Sequence, residues 1–365
     1  CKSFLTRLLL LGIIRSGLAS VLVFDMHNEY GWKAEDKARR LEVKGLRQLY
    51  RSSVVVFTLD EESSRRRGVR YDSVVEIGYD ELEIDDLLLL AEPLHLSGRA
   101  PDLMAALERH YGRGWLGEFL GLEEPAARDG LAKELGFASS VVSALYQSLG
   151  RLKRLNFLKP KADSRAVDLL LGYLRTGRSV VLEFGRTNDL LAYMLVANVL
   201  TRRIHRHYVE AKEKFLGGAG EDPRPLVVVI EEAHKFLSPA VAQHTIFGTI
   251  AREMRKYNVT LLVVDQRPSG IDEEVMSQLG TRIICSLDNE KDLESVLTGV
   301  AGRSELRTLL ARLDTRQQAL VLGHAVPIPT PIRVRDYDET LYRALGVAEA
   351  GTLDLERDLF GDGAS

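Results

Sequence analysis

Cysteine is almost absent from this sequence, with Cys1 and Cys285 alone among 365 residues. Two thiols cannot build a zinc cluster or a disulfide framework, and no Cys/His grouping with metal-ligand spacing accompanies them, which fits a reducing cytoplasm. Long hydrophobic runs are missing too. The longest near the start, LLLLGII, is too short to span a bilayer and no signal-peptide cleavage pattern follows it, so the expectation is a cytoplasmic protein with no membrane partner. Charge of one sign is also lacking, since 49 basic and 52 acidic residues leave a formal net charge of −3. Bulk charge therefore gives no reason to expect a polyanion, and any nucleic-acid contact has to come from a local basic surface. Internal repeats and low-complexity blocks are absent as well.

What is present is a series of short β-branched runs bounded by turns: VLVFD (Val21 to Asp25), VVVFTL (Val54 to Leu59), SVVLEF (Ser179 to Phe184), LVVVIEE (Leu226 to Glu232), TLLVVDQ (Thr260 to Gln266) and RIICSL (Arg282 to Leu287). They are continuous rather than alternating, as expected of strands covered on both faces by helices. Helix-length segments such as Asp189 to Phe215 and Ala240 to Lys256 separate several of them, so the fold class is doubly wound α/β with a mostly parallel sheet. From about Asp80 to Lys159 the texture changes to Leu, Ala and Glu at helical spacing, which predicts a small helical bundle inserted into the sheet domain. The expected organisation is a core in two parts, 1–79 and 166–340, an insertion over 80–165 and a loose tail over 341–365. Two short strands about a proline turn are expected in ALVLGHAVPIPTPIRVRDYD.

Chemistry concentrates where strands end, the place at which open α/β sheets bind ligands. LVVVIEEAHKFL runs an apolar strand directly into Glu231 and Glu232. Paired carboxylates there make a Walker B arrangement, one holding Mg²⁺ and the next polarising the attacking water; the plainer alternative is an acidic helix start. TLLVVDQRPSG leaves Gln266 just past its strand, where a neutral amide can hydrogen-bond both a γ-phosphate and a lytic water, or simply occupy a polar turn. GTIAREMRKYNV puts Arg252 and Arg255 on one helix face, suited to a transferring phosphoryl group of a neighbouring subunit or to helix capping. VLVFDMHNEYGW carries Asp25, His27 and Glu29, which in an extended chain would face one crevice; a metal site, a water-organising carboxylate and a capped loop all remain open. Lys2 and Ser3 at the head of an apolar helix match the end of a P-loop. The segment SSRRRGVRYD, with Arg65, Arg66, Arg67 and Arg70, is either a charged turn or a phosphate contact.

The order of these segments, KS, VLVFDMHNEYGW, a helical stretch, VVVIEEAHKFL, then IAREMRKYNVTLLVVDQRPSGIDEEVMSQLGTRI, resembles the HerA family of HerA/FtsK-type ATPases across most of the chain. The resemblance implies a RecA-like P-loop core and a hexameric, ATP-driven double-stranded DNA translocase or helicase. It also implies work beside a NurA-like or other effector nuclease in end processing or antiphage defence. Carried over residue by residue, Lys2 and Ser3 match the P-loop lysine and magnesium-binding hydroxyl, Glu231 and Glu232 the Walker B pair, Gln266 the sensor, and Arg252 or Arg255 the trans-acting arginine. Asp25 and Glu29 are expected among the cofactor-binding residues, and ATP with Mg²⁺ are the implied cofactors. Two departures stand out: Cys1 occupies the place of the last P-loop glycine, with the glycine loop and the family's N-terminal barrel expected upstream, and Asp265 replaces the commoner small hydroxyl before Gln266. A related motor acting on single strands or protein, and an ATPase-inactive scaffold, are the other function classes compatible with the chain.

Overall fold

The structure is a computed structural model that describes residues 2–36, 41–162, 165–186, 189–242, 245–300, 302–313 and 317–346. Cys1 and residues 347–365 lie outside it, as do the side chains of Lys2, Ser3 and Arg255. Six parallel strands form the main sheet: β1 (Ser20–Asp25), β2 (Val54–Thr58), β3 (Ser73–Val74), β4 (Ser179–Glu183), β5 (Leu226–Glu231) and β6 (Val259–Val264), in the order β6-β5-β1-β4-β2-β3. The sheet is apolar on both faces. Leu22, Phe24, Val55, Phe57, Leu182 and Ile230 point into one core, while Val21, Val23, Val54, Val181 and Val229 point into the other. Continuous rather than alternating hydrophobicity in the sequence has this origin.

The second face is covered by the first helix (Lys2–Ser16) through Leu10, Leu11 and Ile14, together with a short C-terminal helix, Glu339–Ala344, that buries Leu341 and Tyr342. The tail expected from 341 thus begins as a packed helix, held because its apolar residues complete this face. The first face carries the long helix Leu190–Leu216 and, beyond it, six helices between Ile84 and Gly150. Trp115, Phe119, Leu107 and Leu145 fill the centre of that group, continuous with the core under the sheet. Charge ties it down as well: Arg202 and Arg203 of the long helix pair with Asp86, Glu83 and Glu81, and Asn198 donates to Asp86 at 2.8 Å.

One strand sits elsewhere than expected. The Arg282 run does not join the parallel sheet; Thr281–Ile284 pairs antiparallel with Gln318–Gly323, which pairs in turn with Thr330–Arg333 about the proline turn. Its strand is only partly buried, and Arg282 turns onto the carbonyls of Met276, Val296 and Thr298 at 2.6–2.7 Å, contacts a doubly covered central strand could not make.

Candidate nucleotide site

Parallel register brings the ends of three neighbouring strands level. Asp25 pairs with Glu183, and Val23 with Val229, so Glu231, Asp25 and Glu183 close β5, β1 and β4 as a row of acids along one edge of the sheet. Side chains in register on adjacent strands point the same way, roughly 5 Å apart. All three are buried.

Asp25 is fully buried and accepts backbone N–H bonds from Glu29 at 2.8 Å, Tyr30 at 2.7 Å and Gly31 at 3.3 Å. Burial, followed by the neighbouring Glu183 charge, pushes its carboxyl up to about 8, against the pull of those N–H groups. Burial also raises Glu183, opposed by Arg67 at 2.7 Å, while Glu183 Oε1 has no hydrogen-bond partner among the described residues. Any Cβ at position 31 would collide with that oxygen, so Gly31 is what lets the loop after β1 close over it.

That loop does not continue the strand. The chain turns after Asp25, Asn28 takes a left-handed φ of 55°, and its amide exchanges two 2.8 Å bonds with the backbone of Gly185. Asp25, His27 and Glu29 therefore do not share a crevice as an extended chain would have arranged: Asp25 is sealed inside, His27 is exposed and Glu29 reaches toward Arg7 at 4.0 Å. Tyr30 completes the loop's work by donating its hydroxyl to Glu231 Oε1 at 2.7 Å. Arg7, in the first helix, donates to the Glu29 carbonyl at 2.5 Å and lies 5.3–5.7 Å from the rings of Phe4, Tyr30 and Tyr337. The helix headed by Lys2 and Ser3 is thereby joined to Glu231 through Arg7, the loop backbone and Tyr30. From the far side, the Tyr193 hydroxyl brackets the Glu231 backbone, accepting from its N–H at 2.9 Å and donating to its C=O at 3.1 Å. Burial and the Glu231 charge hold both phenols well above their ordinary range, so they stay neutral donors.

Glu232, one residue past β5, has a left-handed φ of 49°, unusual for a residue with a side chain. Val264, the last residue of β6, is level with Glu231, which puts exposed Gln266 on the neighbouring loop. Arg252 is exposed on helix Ile246–Glu253, 3.6 Å from Glu274. The arginine-rich segment is not a turn: Glu61–Arg66 is a helix capped by Asp60, because Glu61 and Glu62 sit four residues before Arg65 and Arg66 and pair with them. Arg67 is turned inward to Glu183, so this group is largely engaged within the subunit.

Against known proteins, residues 2–204, more than half the chain, match the family described as Helicase HerA, central domain. The chain belongs to the HerA family. It is 35% identical over 134 residues to the DNA double-strand break repair helicase HerA of Pyrococcus furiosus, a stretch covering 36% of this chain and 24% of that protein. It is 38% identical over 120 residues to the protein of the same name from Sulfolobus acidocaldarius, covering 32% and 24%. Each match thus spans about a quarter of the relative's length. Among solved structures, VirB4 of Thermoanaerobacter pseudethanolicus superposes with a TM-score of 0.54 at 16% identity over 93% of this chain and 88% of that one, a likeness of fold alone. With its parallel sheet and covering helices, this HerA-family chain has the RecA-like P-loop ATPase fold.

Several residues of this candidate site carry little or no mark in the sequence of the HerA-family chain. Glu183 obeys the rule that singled out Glu231, an acid closing an apolar strand, and was legible on that ground. Tyr30, Tyr193 and Arg7 were not, since an aromatic or a basic residue in an apolar stretch carries no mark of its partner. Among the described residues no helix is long and apolar enough to cross a membrane, and no group of three or more His, Cys, Asp or Glu side chains is placed to hold a metal ion.

Proposed function

We propose that the complete protein is a Mg²⁺-dependent ATPase whose subunits assemble into a cytoplasmic hexameric ring that moves double-stranded DNA, beside a nuclease in end processing or defence. The observation that carries this reading is the physical link from the helix headed by Lys2 and Ser3, through Arg7 and Tyr30, to Glu231 at the end of β5. That link supports reading the head of the helix and the acid at the end of β5 as parts of one nucleotide site.

In this mechanism Lys2 meets the β- and γ-phosphates and Glu232 takes a proton from the attacking water. Gln266 orients that water and reads the γ-phosphate, and Arg252 or Arg255 reaches the phosphoryl group of a neighbouring subunit. The donor chemistry fits magnesium, which dehydrates reluctantly and is bound through one or two protein oxygens plus phosphates and water rather than a full protein cage. Ser3 and Glu231 would hold it, with Tyr30 fixing one Glu231 oxygen, and the chemistry it would supply is neutralisation of phosphate charge. Asp25 and Glu29 act through the loop: Asp25 gathers the N–H groups that place Tyr30, and the Glu29 carbonyl receives Arg7.

Duplex DNA of unrelated sequences should stimulate turnover by the complete protein, with binding that weakens as salt rises. Activity should rise with protein concentration as rings form, and mixing Glu232→Gln subunits with Arg252→Ala subunits should restore part of it. Failure of any duplex to stimulate ends the translocase reading; preference for single strands favours the related motor, and no hydrolysis at all favours a scaffold.

A further inference from the structure

The loops that follow β5 and β6 are tied together by two side chains that the proposed chemistry leaves unused. Asp265 has a side chain only 5% exposed, and both of its oxygens are occupied. Oδ2 accepts from the His234 backbone N–H at 2.7 Å and lies 2.9 Å from His234 Nδ1, while Oδ1 accepts from the Arg267 N–H at 2.5 Å. An ionised carboxylate only accepts, so Nδ1 of His234 carries the proton of that contact. The same Nδ1 stands 3.8 Å from Glu232 Oε2. Behind the ring, Gly270 packs so closely that a Cβ there would lie 3.1 Å from His234 Cβ, and the Asp272 N–H donates to the Leu237 carbonyl at 2.7 Å, a second tie between the loops. Asp265 directly precedes Gln266, and His234 lies two residues beyond Glu232, whose backbone takes the left-handed φ of 49°.

We infer that Asp265 and His234 are positioning residues, a clamp that fixes the water-activating Glu232 relative to Gln266 so that displacement of one loop carries the other. This rests on the hydrolysis proposed above. A small hydroxyl at position 265 could not accept from two backbone N–H groups and the imidazole at once, so the clamp requires the acid. The charge of Asp265 is correspondingly turned toward N–H groups of the protein and does not act as a free anion beside the phosphates.

The test uses the complete protein with Asp265→Ser, His234→Asn and the two combined. Removing a partner that orients a reacting group should lower kcat about ten-fold or more. The KM for ATP and the Kd of a non-hydrolysable ATP analogue should stay within about two-fold, and the double variant should be no worse than the poorer single one. Asp265→Asn, which keeps the shape, serves if the serine variant does not fold. An unchanged kcat, losses that multiply in the double variant, or weakened analogue binding equal to the loss in kcat would overturn the clamp. A second readout needs no turnover: in histidine-labelled protein the ¹⁵N signal of His234, assigned by its disappearance in His234→Asn, should show a protonated Nδ1 and shift in Asp265→Ser. A signal indifferent to Asp265 refutes the clamp, whereas a responsive signal in a protein without ATPase activity refutes the functional reading and leaves the clamp standing.

Discussion

Arg67 offers the sharpest test of how the acidic strand ends are held. Its guanidinium is 2.7 Å from Glu183, whose side chain is 1% exposed while that of Arg67 is 32% exposed. Exposed ion pairs contribute about 0–1 kcal/mol, but removing one partner of a buried pair costs about 3–5 kcal/mol because the other charge is stranded. With one end buried and the other partly wet, Arg67→Ala should cost about 2–3 kcal/mol, near the middle of those limits. For a chain of 365 residues that is a fall of about 3–4 °C in Tm. The cost arises from the orphaned carboxyl rather than from lost packing, so in a Glu183→Gln background the same substitution should cost less than about 1 kcal/mol. Thermal unfolding of the four proteins of this cycle, at one concentration and scan rate, decides it. Equal losses from Arg67→Ala in both backgrounds would refute the idea that the arginine acts by compensating Glu183.

Two further outcomes follow from burial. Asp25 is raised from about 4 unfolded to about 8 folded, so over that interval the folded chain holds a proton the unfolded chain has released and stability falls as pH rises. Tm should drop between pH 5 and pH 8 more steeply in the wild type than in Glu183→Gln, which removes the second cause of the shift; identical slopes would contradict the coupling. Gly248→Ala should be strongly destabilising because the new methyl runs into the Ala242 carbonyl, whereas Gly130→Ala, in the exposed middle of helix Pro125–Leu135 with nothing near, should add about 0.5–1 kcal/mol. Comparable effects at the two glycines, read by unfolding midpoints, would show that backbone approach at Gly248 has been misread.

Strands of the main sheet could be read in the sequence because a doubly covered strand is apolar at every position, and Val54 to Thr58 or Leu226 to Glu231 admit little else. Their order could not, since pairing β1 between β4 and β5 joins residues more than 150 positions apart and leaves no local mark. Local patterns misled in two places: Asp25, His27 and Glu29 alternate like a strand, but the hydrogen bonds drawn by Asp25 fold the loop back, and the four-residue spacing of Glu61 with Arg65 makes a helix where a turn was expected. At the candidate site the acids and Gln266 were visible by their position after apolar runs. The supports were not, because Tyr30, Tyr193 and the Asp265–His234 contact exist only once separate strands stand side by side.

Glu232→Gln in the complete protein tests the central claim most directly. With Mg²⁺ and ATP present, the account predicts that the variant retains bound, unhydrolysed ATP and that steady-state turnover falls by about a hundred-fold or more, the size of general-base effects. Turnover at the wild-type rate would contradict it.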